Sequence, residues 1–413
     1  MARVPVRTVE GIRSCTGGPL DAAHGTARTQ VRVALMPGIG GRRAIPSPQA
    51  GDLTRPGRAA IVAGPPRRRT ARMAEPLSTP SAPTRRGWRA RVALGVTGVL
   101  LLALLAVMWW WDHEPGPFDV VARAQAHASA HGHRPVTGTT TTSTLVEVAR
   151  TLLDKRGGYL ANDLAPPGAL MDNVPNWELG VVLQMRDLAR ALRDDFSRAQ
   201  TQSMEDVDLR DAENFFSYKR EKWILPSFES GLQGGIEKTE SYLTRLGDDR
   251  ADDAQFYARA DNLSRYLESV EKRLGSLSQR LSASVGQQRI NTNLGNDPNA
   301  QQSTPQAPEQ EVRTPWLEID DVFYEARGST WALAHFLRAI EHDFEPVLRD
   351  KNALVSLRQI IRELDEAQAP VMSPVIMNGS QFGMFANHSL VLANYISRAN
   401  AAIIDLRKLL ATG

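Results

Sequence analysis

The residues best placed to do chemistry in this sequence stand in one register. Asp321, Glu325, Gly328, Ala332, His335, Ala339 and His342 follow one another at steps of 4-3-4-3-4-3. On a helix that spacing puts them on one face. Carboxylates and imidazoles projecting from one stripe are the donors from which helical bundles build metal–carboxylate sites. Glu325, His335 and His342 are therefore the candidate ligands. A pocket that gathered Glu325 and His335 with Asn387 or His388 would make an enzyme site between helices. Two features of the spacing oppose this. His335 and His342 are seven residues apart, about 10 Å along a helix axis, so one ion cannot take both imidazoles from this helix alone. There is also no Glu-x-x-His step. Gly and Ala on the same stripe suit close helix packing, with His342 paired to Glu345 or stacked on Arg338. The packing reading is favoured, and no catalytic, cofactor-binding or metal-ligating role is assigned.

Other chemistries find less support. The single Cys15 lies near the N-terminus, so everything after it lacks a disulfide, a thiolate nucleophile and a Cys-based metal site. No dinucleotide fingerprint, phosphate-binding loop, zinc-protease motif or nucleophile elbow occurs. The acidic pairs Asp194-Asp195, Asp248-Asp249, Asp252-Asp253 and Asp320-Asp321 point to different helix faces and read as solvated surface. His113, His127, His131 and His133 crowd one stretch, where a solvated stalk is favoured over a metal-binding tract.

Charge divides the chain. Residues 1–91 hold 17 Arg, no Lys and four acids, whereas the remainder has 32 basic and 42 acidic side chains. An acidic body repels phosphates, which argues against a nucleic-acid partner.

The elements that must position these residues read as follows. Residues 1–72 are rich in Arg, Pro and Gly without apolar periodicity and are expected to be disordered. Their Lys-free composition suggests translated upstream sequence, with Met73 as the true start and 73–91 as a short basic cytoplasmic segment. Val92 to Trp111 is an uncharged run, VALGVTGVLLLALLAVMWWW, long enough for a bilayer-spanning helix. Four Arg precede it and acids follow it, so the N-terminus is expected in the cytoplasm and the body outside. Its length and its terminal Trp triplet oppose a cleaved signal peptide.

Residues 112–143 read as a juxtamembrane stalk. A first helical region spans 144–285 and opens with Thr144 and Glu147 as a capping box. Within it Phe256, Ala260, Leu263, Leu267, Val270, Leu274, Leu277 and Leu281 form a heptad seam, 4-3-4-3-4-3-4. An antiparallel partner in the same chain is favoured for this seam, with a homodimer as the other expectation. Residues 286–315 form an Asn/Gln/Pro-rich flexible linker, and a second helical region covers 316–413. The fold class is all-α: one transmembrane helix followed by a multi-helix bundle with long, partly coiled-coil-like helices.

Several stretches, among them GGYLANDLAPPG, NVPNWELGVVLQMRDLARALRDDFSR, DDVFYEARGSTWALAHFLRAIEHDF and NHSLVLANYISRANAAIIDLRKLL, resemble a family of bacterial proteins catalogued as domain of unknown function 2333. The resemblance runs from about Leu94 to Leu410. It implies a bacterial inner-membrane protein with one transmembrane helix, and it carries over no catalytic residue; with the flanking charges, the body is expected in the periplasm. The expected role is a scaffold or adaptor that binds another envelope component, with the helix-assembled enzyme as the alternative. Limited proteolysis should cut first between Gln287 and Gln310, where few backbone hydrogen bonds are expected. Resistance of that segment would count against a flexible linker.

Overall fold

The computed structural model describes residues 85–132, 134–199, 204–248, 254–290, 309–373, 375–380 and 383–412. The expectations for residues 1–72 and for a start at Met73 lie outside them. The described residues form eleven α-helices and one two-stranded ribbon. In chain order these are α1 (Arg85–Trp111), α2 (Val120–Ala130), α3 (Thr139–Asp154), α4 (Asn173–Ala191), α5 (Val207–Phe216), α6 (Phe228–Gly247), α7 (Ala260–Ser282), β1 (Gln287–Ile290), β2 (Glu309–Val312), α8 (Ile319–Asp343), α9 (Glu345–Asp350), α10 (Leu354–Glu366) and α11 (His388–Thr412). The apolar helix begins at Arg85 rather than Val92. Within Gly87–Trp111 an 18-residue stretch has a mean hydropathy of 2.5 and none of that stretch is buried, so the helix is long and apolar enough to cross a membrane.

Short polar side chains start several helices by taking up the unpaired N–H groups of the first turn. Asp119 accepts from Val121 and Ala122, Asp206 from Asp208 and Leu209, and Ser227 from Ser230. α3, the helix expected to open at Thr144, departs from the expected capping box. It opens at Thr139, five residues before Thr144, after Gly138 in the left-handed region (φ 95°). Its first turn is capped from far away in sequence, because the Thr141 N–H and hydroxyl both donate to Asp343 at 2.7 Å. The Thr144 hydroxyl instead donates to the Thr140 carbonyl.

The expected solvated stalk is accordingly corrected. Val120, Ala124 and Ala128 of α2 are buried, as is the whole run Thr139–Thr144. The linker is corrected at its two ends, where β1 and β2 pair antiparallel with Gln287 opposite Val312; residues 291–308 lie outside the described set. The two helical regions it joins do not make two cores. α4 packs on α8 and α7 on α11, and one hydrophobic cluster contains residues of all four helices.

The heptad seam meets a partner within the chain. α7 and α11 run antiparallel, with Ser278 close to Ser397 and Arg407 reaching back to Glu268 at 3.2 Å. Leu263, Leu267, Val270, Leu274, Leu277 and Leu281 are all buried. A homodimer through Phe256–Leu281 therefore has no exposed apolar seam to use. Phe256 itself precedes α7 and packs beside Phe196 and Phe344.

Because the long helices run from end to end, their connections gather at two ends of the bundle. The end of α3 meets the start of α4 through Lys155 and Glu178, at 2.7 Å. The starts of α4 and α8 meet through Asn176 and Asp321, at 2.6 Å. The end of α7 joins them through Arg280 on Glu325, and the start of α11 through His388 beside Phe323. The α5–α6 connection arrives at the same place, where Asn162 donates to the Lys222 carbonyl. So does α1, whose Trp110 ring lies 4.5 Å below the Arg156 guanidinium and whose Trp111 rests on Gly157. This is the α1 end of the body.

α4 and α8 run parallel at an unusually short separation. A Cβ on Gly328 would lie 1.9 Å from the Trp177 carbonyl oxygen, and one on Gly180 would lie 2.0 Å from the Glu325 carbonyl oxygen. Gly275 in α7 is different, since its nearest neighbour would be Asn400 at 3.6 Å. The same substitution should therefore have opposite signs. Gly328→Ala should cost about 1–3 kcal/mol by forcing the helices apart. Gly275→Ala should gain about 0.5–1 kcal/mol through helix propensity. Thermal unfolding of the detergent-solubilised protein checks this, and equal losses would contradict the packing.

Candidate functional site

A cavity of about 1010 Å³ opens at the α1 end. Its walls are the exit segment after Trp111, the first turns of α4, the middle of α8 and the chain following α10. Trp109, Trp177, Trp331 and Tyr324 give it aromatic faces, while Arg327, His335, Arg338 and Asp365 supply polar atoms.

Arg327 organises this wall. Its Nε donates to both oxygens of Glu114, at 2.7 and 3.0 Å, and Nη1 donates to the carbonyls of Ala369 and Ala367, at 2.8 and 3.3 Å. The guanidinium thus ties the exit segment to the unpaired carbonyls past the end of α10, which helix geometry leaves available. Gln368 returns the contact by donating to the Arg327 carbonyl and to Thr330. Arg338 is paired with Asp365.

His335 is equally committed. Nε2 accepts from the Phe118 N–H at 3.1 Å, which requires that Nδ1 carry the proton and donate to the Trp331 carbonyl at 2.7 Å. Its ring stacks on Phe118, with 4.2 Å between centroids. Burial pushes its pKa down to about 4. Burial likewise pushes the Tyr324 phenol up to about 12. The imidazole is a neutral structural hydrogen-bonding group with neither nitrogen free for a metal.

The expected constellation does not assemble. Glu325 is held by a two-point pair with Arg280 of α7. His342 is half-exposed on the far part of α8, 3.0 Å from the Thr140 hydroxyl and 3.4 Å from Asp343, whose carboxylate raises its pKa. It pairs with neither Glu345 nor Arg338, which bind Arg349 and Asp365 instead. Asn387 bonds Asn378 and the Gly379 carbonyl, and His388 accepts from the Met377 N–H. Glu325, His335 and His342 thus face three different partners, and the alternative of a shared metal–carboxylate site loses its geometry. His127 and His131 stack on each other, 4.4 Å apart, His113 packs edge-on to Trp109, and His133 lies outside the described residues.

Sequence reasoning missed Arg327, Glu114, Trp177 and Trp331. Among the described residues the indole N–H groups of Trp177 and Trp331 have no acceptor, although both rings are buried against the cavity. Arg327 pairs with Glu114 and Arg338 with Asp365, whereas Asp112 is hydrogen-bonded to the neutral Asn173 and burial raises its pKa. The cleft has aromatic faces, and among the described residues it brings no base–nucleophile pair together.

Fold and site define a class: a helical body joined to one exposed apolar helix, with a cavity at the junction. Over residues 84–413 the chain belongs to DUF2333, a family of uncharacterised proteins conserved in bacteria. No curated protein and no solved structure matches it.

The environment of His335 sets a pH dependence. An unfolded imidazole titrates near about 6.5, while the folded one titrates near about 4. The unfolded chain therefore binds the extra proton across this window. The stability that neutral His335 contributes is complete above the upper value and is lost as pH falls towards the lower one. Wild type should lose up to about 1.4 kcal/mol per pH unit through this residue. His335→Gln, which keeps an acceptor without a titrating ring, should lack that component. Denaturant titrations at several pH values check it, and parallel slopes for the two proteins would contradict it.

Proposed function

We propose that the protein is a single-pass, inner-membrane-anchored scaffold or adaptor. Its N-terminus is cytoplasmic, and its body, from Asp112 onwards, is periplasmic and presents a helical surface to another envelope component. The observation that carries this reading is α1: a 27-residue helix whose uncharged run from Val92 to Trp111 is unburied, joined to a body with a complete core. In water such a helix would leave its whole apolar surface hydrated, whereas a bilayer removes that cost. The Arg residues before its apolar run and the acids Asp112 and Glu114 after it set the orientation. An adaptor role is favoured over catalysis because Arg327, Glu114, Arg338 and Asp365 of the cavity at the α1 end are engaged in structural pairs.

Reporter fusions test this. A phosphatase that matures only in the periplasm, fused after Gly413, should be active, and a fluorescent protein that matures only in the cytosol should stay dark. The protein should remain in the pellet after alkaline carbonate extraction. The opposite reporter pattern would overturn the orientation, and release by carbonate would overturn the anchor.

A further inference from the structure

We propose that the α1 end of the body is itself a membrane-docking surface, a collar of apolar side chains around the exit of α1 that inserts into the headgroup–acyl boundary. The inference rests on the reading of α1 as a membrane span and goes beyond it, since a tether alone requires no contact between body and lipid.

Leu164, Trp223, Leu225, Trp316, Leu317 and Met372 are between 56% and 93% exposed. They come from four separate connections that share this end of the bundle, and in each the backbone nearby is pinned. Leu164 follows the turn whose Leu160 and Ala161 N–H groups donate to Glu178 at 2.9 Å. Trp223 and Leu225 lie in the loop closed by the Phe228 N–H on the Lys222 carbonyl, at 2.9 Å. Trp316 and Leu317 form the short turn leading into α8, which Asn176 holds through Asp321. Met372 follows the carbonyls that Arg327 clamps. Large apolar side chains held outward in this way, from several loops at once, mark an interaction surface.

The bilayer is the occupant that the position of α1 selects. Glu114 is three residues past the end of the helix and is fixed on Arg327. Three residues of extended chain reach about 10 Å, so the body cannot stand further than that from the end of the span. Trp109, Trp110 and Trp111 mark the interface at which indole rings settle. A bilayer ending at that level meets the surrounding loops. Insertion of an apolar face by about 5–10 Å, as in interfacial proteins, would cover side chains of this size.

The test uses the full chain in vesicles of phosphatidylethanolamine and phosphatidylglycerol, with Cys15→Ser and one introduced thiol carrying an environment-sensitive fluorophore. The thiol is placed by Leu225→Cys, by Leu317→Cys or, at the opposite end of the bundle, by Val355→Cys. All three side chains are exposed, so folding is not at issue. Lipids spin-labelled just below the headgroup should remove most of the emission at 225 and 317 and leave that at 355 intact. Aqueous iodide should do the reverse. If the protein floats with the vesicles and all three probes respond only to iodide, the collar is overturned while the α1 reading stands. If the protein does not float, the α1 reading fails and takes the collar with it. Probes at 225 and 317 shielded from both quenchers would place a protein partner or a second copy there, which also overturns docking to lipid.

Discussion

The contact of the Trp177 carbonyl with the backbone of Gly328 sets how closely α4 and α8 approach, and much of the remaining structure is arranged around that approach. Two glycines, one on each helix, let the backbones meet, and a buried hydrogen bond from Gln184 to Ser329 lies one turn further along. With α4 this near, the other faces of α8 are free for different neighbours. Glu325 addresses α7, Arg327 the end of α10 and the exit segment, His335 the Phe118 backbone, and Asp343 the first turn of α3. One helix thereby fixes the register of most of the body.

These polar contacts do more for uniqueness than for net stability. Desolvating an ion pair roughly offsets its attraction, whereas removing one partner leaves a buried charge at a cost of about 3–5 kcal/mol. A slide of α10, α3 or the exit segment along α8 would strand Arg327, Asp343 or Glu114 in that way. Lys155 with Glu178 works similarly at the end of α3. Burial raises the pKa of the Glu178 carboxyl, while Lys155 and the two backbone N–H donors oppose the rise. The apolar core supplies the driving force, and the ionic contacts select among its packings.

The parts of this fold legible in the sequence are those whose cause is local. The Leu263–Leu281 seam is a property of a few turns of helix, and its antiparallel partner in α11 carries a matching stripe. The Gly and Ala of the α8 stripe correctly indicated close packing. The threonine run 139–144 was misread because its cap, Asp343, is 202 residues away from Thr141. Arg327 was missed for the same reason, its partner Glu114 lying 213 residues earlier. The ribbon was missed because Gln287–Ile290 and Glu309–Val312 are mostly polar and have no buried face to impose an alternation. Periodicity reports which face of an element is buried, and it is silent on which distant side chain completes a first turn or a guanidinium.

The exit segment shows why that silence matters for function. Asp112 to Phe118 reads Asp-His-Glu-Pro-Gly-Pro-Phe, a composition suited to a loose tether, and a loose tether would let the body tumble beneath its helix. Instead Glu114 is locked on Arg327, the Phe118 N–H is locked on His335, and Trp110 and Trp111 bear on the Arg156–Gly157 turn. The direction of α1 is therefore fixed relative to the bundle. α8 alone, at 25 residues, spans about 37 Å, so the opposite end stands roughly that far from the exit. Under the proposed anchoring the body is oriented as well as retained. The segment 255–259, just before α7, and α9 then become the described parts held furthest from the bilayer.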